Sequence, residues 1–516
     1  MLDKIKKLFI NYWLLILIFG VYIFLHLYKL SSIPYGLHID EVGMAYDAFN
    51  LSKSGIDRYM NSFPVYLINS GGGQSILYCY ICIFLFKFLP LSVLTIRIPA
   101  FINALIIFIY GSLIIKDIFK SKKIVYLYAI MITIMPYFFM ATRFGLDCNL
   151  MLGMSIMFLY YLNKAFAYSK ISNYIIVGII GGICLYTYAL SYIVLPLFII
   201  LVLLYLLYLK KFNFKKFIFF ITPMFIISIP LLIFHIVNIF KLGDLHILGV
   251  TFNQLPGYRV NELSILNIFK NILPLFKSIF FFDWLSYNTL PEFGTIYYIS
   301  VLFFIIGFII SIKDFIKQLK DKNFDNRSII FIWFISMILM GLLLGGDGPN
   351  ANKLNAIFFV IVFYVVLGLS KLKKNKITII LLIIIYSYSF LSFTNFYYHK
   401  YNDYYYHQFL FEPSFQDALK DLKANKIIKN RITYMDIEPI YYLWEDKIDA
   451  KRLKYTNWGP DVETFKFLNY RFFLPNKANC LANYIIKKDN EEYLQKLSTC
   501  ELKKKSYKDY YLFYAD

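Results

Sequence analysis

The chain has 516 residues, of which 59% are hydrophobic and 16% are charged, and its mean hydropathy is +0.58. In soluble proteins about a quarter of the residues are charged, so these values exclude an ordinary soluble globular protein. Repeated apolar runs of about 17 to 25 residues predict an all-α polytopic membrane protein. The net charge of +21 does not indicate nucleic-acid binding, because Lys and Arg cluster in short loops between the apolar runs, where they set membrane orientation.

The first apolar run extends from about Leu8 to Tyr28 and follows a basic N-terminus. It is too long for the apolar region of a cleaved signal peptide, and no small-residue cleavage site follows it. We therefore expect a transmembrane helix whose N-terminus is cytoplasmic. The polar loop after it should lie outside the membrane.

The later basic clusters can all be cytoplasmic only if the chain crosses the membrane once between that loop and Lys116. Residues 74–115 hold two apolar stretches; we expect the first to be juxtamembrane or re-entrant and the second to span, and two spans remain the alternative. The eleven expected spans are approximately 8–28, 95–115, 124–141, 149–163, 174–190, 192–209, 217–240, 296–312, 329–345, 355–370 and 377–394. The expected outer loops are 29–73, 142–148, 241–295 and 346–354.

The chain changes character near residue 395, which divides an expected transmembrane domain, 1–395, from an extracytoplasmic C-terminal domain, 396–516. The second part lacks long apolar runs and is predicted to be a small α/β domain. Its expected elements are a helix at 415–423 and strands at 431–437, 440–444 and 481–486. An outside location would permit a disulfide between Cys480 and Cys500, and the sequence leaves that pairing open. Before this domain, residues 265–282 are predicted to form an amphipathic helix in the membrane interface.

Acidic residues in two outer loops are the candidates for chemistry. Asp40 and Glu41 follow the first span, and Asp147 lies in the loop 142–148 on the same expected face. Carboxylates near a membrane cost free energy unless water solvates them, so they are candidates for function. Acids that converge on one aqueous pocket suit general acid–base catalysis. The alternatives are solvated loop acids and, for Asp147, a helix cap.

The order of four motifs gives the sequence a family resemblance. The motifs are Gly36-Leu37-x-x-Asp40-Glu41, Ser54-Gly55-x-Asp57, Arg97-x-Pro99 and Arg143-Phe144-Gly145-Leu146-Asp147. Together they resemble the GT-C glycosyltransferase superfamily, in particular the bacterial branch related to protein O-mannosyltransferases and to lipid A aminoarabinose transferases. The resemblance covers about residues 10 to 395.

The resemblance implies transfer of a sugar from a polyprenyl-phosphate donor, of the undecaprenyl type, to an extracytoplasmic acceptor. The expected acceptor is a cell-surface glycan or cell-wall polymer, and protein O-glycosylation is an alternative. In this family the Asp matching Asp40 is the proposed base for an inverting attack; Glu41 would orient it, and Asp147 would hold the acceptor or the first loop. A transporter or flippase of lipid-linked sugars is a further alternative, although we find neither an internal repeat nor acids in mid-membrane.

A lipid-phosphate leaving group needs cations, and further outer residues are expected to contact substrate. These candidates are Arg58, Arg143, Arg259, Lys353, His38, Asp57 and Tyr188. Lys353 stands where the family pattern Asn-Arg-x-Asn has Arg, which loses bidentate geometry. Gly72-Gly73-Gln74 follows Asn69 where aminoarabinose transferases carry a Lys-Pro pair, which disfavours that sugar. No metal-ligand spacing is present among the histidines, so a divalent metal is neither indicated nor excluded.

Overall fold

The computed structural model describes residues 2–69, 72–258, 263–282, 285, 287–372, 375–403, 411–424, 431–459 and 464–515. Within these ranges, seven helices are long and apolar enough to cross a membrane, and four shorter apolar helices accompany them. The long helices are Val93–Phe119, Asp147–Tyr168, Ser191–Tyr208, Phe214–Ile239, Tyr298–Lys320, Asn326–Leu343 and Lys376–His399. The shorter ones are Tyr12–Leu27, Leu77–Phe86, Ile171–Cys184 and Asn355–Ser370. The predicted polytopic helical class is confirmed.

We number the helices of the membrane part in chain order. They are α1 (Leu2–Leu27), α2 (Ile39–Ser54), α3 (Leu77–Phe86), α4 (Val93–Phe119), α5 (Lys122–Ile134), α6 (Pro136–Met140), α7 (Asp147–Tyr168), α8 (Ile171–Cys184), α9 (Ser191–Tyr208), α10 (Phe214–Ile239), α11 (Asn267–Phe280), α12 (Tyr298–Lys320), α13 (Asn326–Leu343), α14 (Phe358–Ser370) and α15 (Lys376–His399). Two antiparallel hairpins complete this part, β1–β2 (Tyr66–Asn69 and Gly72–Ser75) and β3–β4 (Leu245–Ile247 and Val250–Phe252).

The region 74–115 contains one short and one long helix. α3 has 10 residues and is therefore about 15 Å long, half of the ~30 Å hydrocarbon thickness. α4 has 27 residues, enough to span with some tilt. These lengths favour a single crossing. The expected span 124–141, by contrast, is divided into α5 and α6, because Pro136 cannot continue the hydrogen bonding of the preceding helix.

The loop after the first apolar run, which was predicted to lie outside the membrane, contains a helix that was not predicted, α2. α2 is buried along most of its length, although its sequence is only weakly amphipathic. It packs against the C-terminal part of the chain: Tyr46 donates to the carbonyl of Ile448 at 2.8 Å, and the backbone N–H of Ala450 donates to Asn50 at 2.7 Å. The first loop and the C-terminal part therefore lie on the same face of the membrane helices.

The C-terminal part contains a mixed six-stranded sheet. Its strand order is Lys466–Phe467, Tyr470–Arg471, Thr433–Met435, Asn483–Lys487, Tyr510–Tyr514 and Lys503–Ser506, with Thr433–Met435 parallel to both neighbours and the other pairs antiparallel. The predicted helix appears at Phe415–Ala424. The predicted strand at 440–444 is wrong: this segment is the helix Pro439–Glu445. A continuous apolar run does not distinguish strand from helix, and Pro439 at the first helical position favours the helix.

A disulfide and an amphipathic helix complete the description. Cys480 and Cys500 are joined by a disulfide, the pairing that the sequence left open. α11 covers most of the segment predicted to be amphipathic, and it exposes Leu273 and Phe269 while burying Asn271 against the end of α13. An exposed apolar face beside a buried polar one agrees with a position in the membrane interface.

Candidate active site

The acid pair occupies the first turn of α2. His38 is the N-cap: its Nδ1 accepts the backbone N–H of Asp40 at 3.1 Å, and its own N–H donates to Glu41 Oε2 at 3.4 Å. Two backbone donors that the helix leaves unpaired are thereby satisfied. The positive end of the helix dipole also stabilises the two negative side chains at this position. His38 thus orders the acid pair, and it is buried at 6% exposure.

The two acids of the pair have different surroundings. The Asp40 side chain is 37% exposed and lines a cavity. Glu41 is fully buried and pairs with Arg97, whose Nε donates to Oε1 at 2.9 Å. A carboxylate that faces an open cavity can contact a ligand there, whereas one enclosed by protein donors cannot. Of these two acids, Asp40 is the one that lines the cavity.

Glu41 connects the two acidic loops. Besides Arg97 it accepts the backbone N–H of Gly145 at 2.7 Å, and Gly145 belongs to the predicted outer loop 142–148. The remaining Arg97 donors bond to backbone carbonyls of the first loop, including those of Pro34 and Gly36, both at 2.8 Å. Glu41 and Arg97 thus form one buried network that joins the first loop to the loop 142–148.

A β-hairpin brings two amides to Asp40. Asn69, at the end of β1, donates from Nδ2 to Asp40 Oδ1 and to Gln74 Oε1, each at 3.0 Å. Gly43 permits this approach, because a Cβ at that position would lie 2.5 Å from Asn69 Oδ1. Asn69 therefore occupies one oxygen of Asp40 and leaves Oδ2, which lies 3.7 Å from His38 Nδ1.

Asp147 lies on the same cavity as Asp40. It is the first residue of α7, and its oxygens accept two backbone N–H groups, from Ser75 to Oδ2 at 2.9 Å and from Cys148 to Oδ1 at 2.8 Å. The bond to Ser75 joins the hairpin to the start of α7. Asp147 is 8% exposed, so it acts on its surroundings mainly by holding these elements together.

The cavity has a volume of about 710 Å³, within the ~300–1,000 Å³ range of small-molecule sites. Its acidic side carries Asp40 and Asp147. The other described residues that line it are Ile39, Tyr66, Asn69, Gly72, Gly73, Gln74, Tyr188, Ala189, Leu190, Tyr192, Ile193, Phe234, His235, Leu255, Gly257, Tyr258, Leu263, Leu344 and Lys353. The wall is mostly aromatic and aliphatic, so the site can hold an apolar chain beside its polar groups.

Among the described residues that line this cavity, one carries a permanently basic side chain: Lys353. Its backbone N–H donates to Asn350 Oδ1 at 2.9 Å, and its Nζ donates to the carbonyl of Gly348 at 3.1 Å. These bonds hold the loop 346–354 in a compact turn. A single ammonium group is therefore held at the cavity wall, where it can attract an anion.

Two of the predicted arginines are engaged elsewhere. Arg58 is 3% exposed and forms a bidentate pair with Asp47, with Nη2 2.7 Å from Oδ2. Arg143 is fully buried, and its guanidinium donates to carbonyls at the end of α1, among them Leu25 at 2.7 Å and Tyr28 at 2.7 Å. Neither lines the cavity with Asp40. A cation at a helix C-terminus satisfies the carbonyls that the helix leaves unpaired.

The remaining predicted residues divide between loop and cavity. Asp57 is 1% exposed and accepts the backbone N–H groups of Tyr59 and Asn61, both at 2.8 Å; burial raises the pKa of Asp57 to about 7. The Asp57 side chain therefore lies inside the first loop and does not line the cavity. Tyr188, which was predicted to contact substrate, lies on the cavity wall. Arg259 lies outside the described residues.

Several cavity residues were not predicted from the sequence. They are Asn69, Gln74, Tyr66, Tyr192, His235 and Tyr258. His235 Nδ1 and the Tyr258 hydroxyl lie 2.7 Å apart, and no sequence pattern connects them. The hairpin that carries Asn69 has a detectable signal, since Ser70-Gly71-Gly72-Gly73 is a turn composition. Among the residues described, no group of three or more His, Cys, Asp or Glu could hold a metal ion.

The sequence matches no protein-family model and no curated protein. Solved structures give a likeness in fold. ArnT from Cupriavidus metallidurans bound to undecaprenyl phosphate aligns with a TM-score of 0.59 at 10% identity, over 97% of both chains, and its apo state gives a TM-score of 0.58 at 10% identity over the same shares. The Archaeoglobus fulgidus oligosaccharyltransferase aligns with a TM-score of 0.47 at 14% identity, over 86% of this chain and 64% of that one. The likeness to ArnT, at 10% identity, is one of fold, and it extends over 97% of both chains.

Proposed function

We propose that this chain, which has the GT-C fold, is an integral membrane glycosyltransferase that uses a polyprenyl-phosphate sugar as donor. The observation that carries the proposal is the composition of the cavity: the partly exposed carboxylate of Asp40 and the ammonium of Lys353 line the same space, between aromatic and aliphatic walls. A base, a cation and an apolar surface are the three components that transfer from a lipid phosphate requires.

Asp40 acts as the general base in the proposed step. It accepts the proton of an acceptor hydroxyl while that oxygen forms a bond to the anomeric carbon of the sugar. The bond from this carbon to the phosphate oxygen breaks, and its electron pair leaves with the lipid phosphate. Lys353 stabilises the charge on the leaving phosphate. Attack from the face opposite the phosphate inverts the anomeric configuration.

The contacts of the two cavity acids support this assignment of roles. Asp147 already accepts backbone N–H groups on both oxygens, so its carboxylate is occupied in joining the hairpin to the start of α7. Asp40 uses Oδ1 for Asn69 and retains Oδ2 for a ligand. We therefore assign proton transfer to Asp40, orientation of the loop to Glu41, and positioning of the hairpin and acceptor to Asp147.

We propose that the reaction takes place on the extracytoplasmic face, with the N-terminus in the cytoplasm. The basic loops of the sequence support this orientation, and so does the disulfide between Cys480 and Cys500, because such bonds persist in oxidising compartments. The proposed acceptor is a cell-surface glycan or cell-wall polymer. Aminoarabinose is a poor candidate for the sugar, because Gly72 and Gly73 occupy the place of a Lys-Pro pair.

Turnover by purified protein in proteoliposomes tests the proposal, with a panel of polyprenyl-phosphate sugars and isolated surface glycans as acceptors. We expect the wild type to consume one donor and Asp40→Asn to bind the same donor while its kcat falls by about 10²- to 10⁴-fold, the usual contribution of a general base. Asp314→Asn, in a half-exposed ion pair of α12 with Arg327, is the matched control. Equal turnover by Asp40→Asn would remove the assigned base, and translocation of intact donors without transfer would support the transporter instead.

A further inference from the structure

A second cavity lies among α7, α8, α9 and α10, with a volume of about 340 Å³. It contains none of the residues placed in the candidate active site. Its described lining residues include Phe158, Ser169, Phe198, Val202, Lys211 and Lys216. The wall is aromatic and aliphatic, and the polar residues belong to the ends of the helices.

The second cavity opens at the opposite end of the membrane part. α7 begins at Asp147 on the first cavity and its C-cap, Ser169, lines the second. α7 has 22 residues, which gives a length of about 33 Å. This length matches the ~30 Å hydrocarbon thickness of a bilayer. The two cavities therefore belong to opposite leaflets.

The shape of the second cavity matches one lipid chain of one leaflet. Phe158 and Phe198, which are fully buried, lie at its inner end, and Lys211 and Lys216 lie at its outer end. From Phe158 to Ser169 the helix rises by about 16 Å, which is half of the hydrocarbon thickness. An acyl chain inserted from the membrane surface would end against the two phenylalanines.

The charge at the outer end is positive and is not neutralised within the cavity. None of the described lining residues is Asp or Glu. Lys216 lies 5.9 Å from the centre of the Tyr174 ring, and neither it nor Lys211 forms an ion pair with a described residue. Basic pockets between membrane helices attract anionic head groups. Two ammonium groups above an apolar channel thus complement a phosphate with a lipid chain.

We propose that this cavity binds an anionic phospholipid from the leaflet opposite the active site. One acyl chain fills the channel down to Phe158 and Phe198, and the phosphate lies between Lys211 and Lys216. A polyprenyl phosphate is a weaker fit, because its long branched chain exceeds a channel of half a membrane in depth. The site is independent of the proposed transferase activity.

Trp333 provides a local probe for the inner end of the channel. This residue is fully buried, and its ring centroid lies 5.0 Å from that of Phe198 and 6.5 Å from that of Phe158. The chain has five tryptophans, so replacement of the other four by Phe leaves Trp333 as the single emitter. Phospholipids with brominated acyl chains quench tryptophan on contact.

The experiment compares brominated phosphatidylglycerol with brominated phosphatidylcholine in lipid nanodiscs. We expect phosphatidylglycerol to quench Trp333 at a roughly 25-fold lower mole fraction, since each of the two lysines contributes about fivefold to binding of an anionic surface. The double variant Lys211→Gln/Lys216→Gln should lose this preference, and Val202→Phe, which fills the channel, should lose quenching by both lipids. Lys313→Gln/Lys317→Gln, on α12, is the matched control and should keep it.

Three results would overturn the proposal: equal quenching by the two lipids, an unchanged preference in the Lys211/Lys216 double variant, or stronger displacement by undecaprenyl phosphate than by unlabelled phosphatidylglycerol. If the single-tryptophan protein does not fold, native mass spectrometry of the otherwise unaltered protein provides a second measurement. It should retain phosphatidylglycerol on the wild type and lose it on the lysine double variant. Equal retention by the two proteins would contradict the site.

Discussion

The side-chain amide of Asn69 donates to Oδ1 of Asp40 at 3.0 Å, and this bond joins the hairpin β1–β2 to the first turn of α2. The same amide donates to Gln74 at 3.0 Å, which fixes the orientation of Asn69. Asp40 is thus held by its own helix and by a second element, while its other oxygen, Oδ2, lies 3.7 Å from His38 Nδ1. Preorganisation of this kind is what a catalytic base requires.

Replacement of Asn69 should change both the rate and its pH dependence. Asn69→Ala removes a bond to a charged group, and we expect kcat to fall by about 10- to 100-fold. Asn69→Asp places a second carboxylate beside Asp40, and like charges raise the pKa of the acid. A base must be deprotonated to act, so the acidic limb of the rate–pH profile should move to higher pH. Steady-state turnover from pH 5 to pH 9 measures both effects.

A matched control for the Asn69 variants is Asn457→Ala in the C-terminal part, where the side chain donates to the carbonyl of Thr464 at 2.9 Å. It should leave kcat and the pH profile unchanged. An Asn69→Asp variant with the wild-type profile would show that Asn69 does not act on the base.

Gly43 should be sensitive to the addition of one methyl group. A Cβ there would lie 2.5 Å from Asn69 Oδ1 and 2.7 Å from Arg58 Nη2, so Gly43→Ala must displace the amide that holds Asp40. We expect a loss of about 1–3 kcal/mol in unfolding free energy from overpacking, together with lower kcat. Gly20→Ala is the control, because nothing lies within 4 Å of a Cβ at Gly20. Thermal unfolding and turnover should be normal in the control, and equal behaviour of the two variants would contradict the prediction.

Replacement of Glu41 should mainly reduce stability, whereas replacement of Asp40 should mainly reduce activity. Glu41 and Arg97 form a fully buried ion pair, and removal of one partner from such a pair costs about 3–5 kcal/mol. Glu41→Gln should therefore lower the unfolding temperature strongly, whereas Asp40→Asn should leave it nearly unchanged and lower kcat by about 10²- to 10⁴-fold. The half-exposed pair of Arg327 and Asp314 is the control, with an expected cost of about 0–1 kcal/mol.

Differential scanning fluorimetry of Glu41→Gln, Asp40→Asn and Asp314→Asn measures this separation. A stable Glu41→Gln protein without turnover would instead assign Glu41 a direct part in the reaction.

The candidate acids could be found from the sequence because their position between apolar runs is a local feature of the chain. Asp40, Glu41 and Asp147 were found from their position between apolar runs and from the motif order, and two of the three lie on one cavity. The helical class followed from run length alone. The helix α2 was missed since its buried face packs on Ile448 and Ala450, about 400 residues away, and its own sequence has no clear apolar periodicity.

The arginines show where sequence reasoning ends. Arg143 was predicted to contact substrate because it lies in an outer loop, but its guanidinium donates to carbonyls of α1, 118 residues earlier in the case of Leu25. Arg58 was also predicted to contact substrate, but its guanidinium pairs with Asp47. A backbone carbonyl has no signature in the sequence, so the partner that occupies a cation cannot be predicted from composition. Among the described residues, Lys353 is the predicted cation that remains on the cavity wall.

Lys353 should determine affinity for the lipid phosphate. Loss of an ammonium that bonds to a phosphate removes about 1.5–3 kcal/mol, so Lys353→Gln should lower kcat/KM for the donor by about 10- to 100-fold and weaken inhibition by free undecaprenyl phosphate to a similar degree. Lys353→Arg should recover most of both values, because it retains the charge at the same wall. Lys241→Gln, an exposed lysine at the end of α10, is the matched control and should behave like the wild type. Because a phosphate contact predicts a parallel change in substrate use and product inhibition, a loss of kcat/KM with unchanged inhibition would assign Lys353 to the turn at Gly348 and not to the donor.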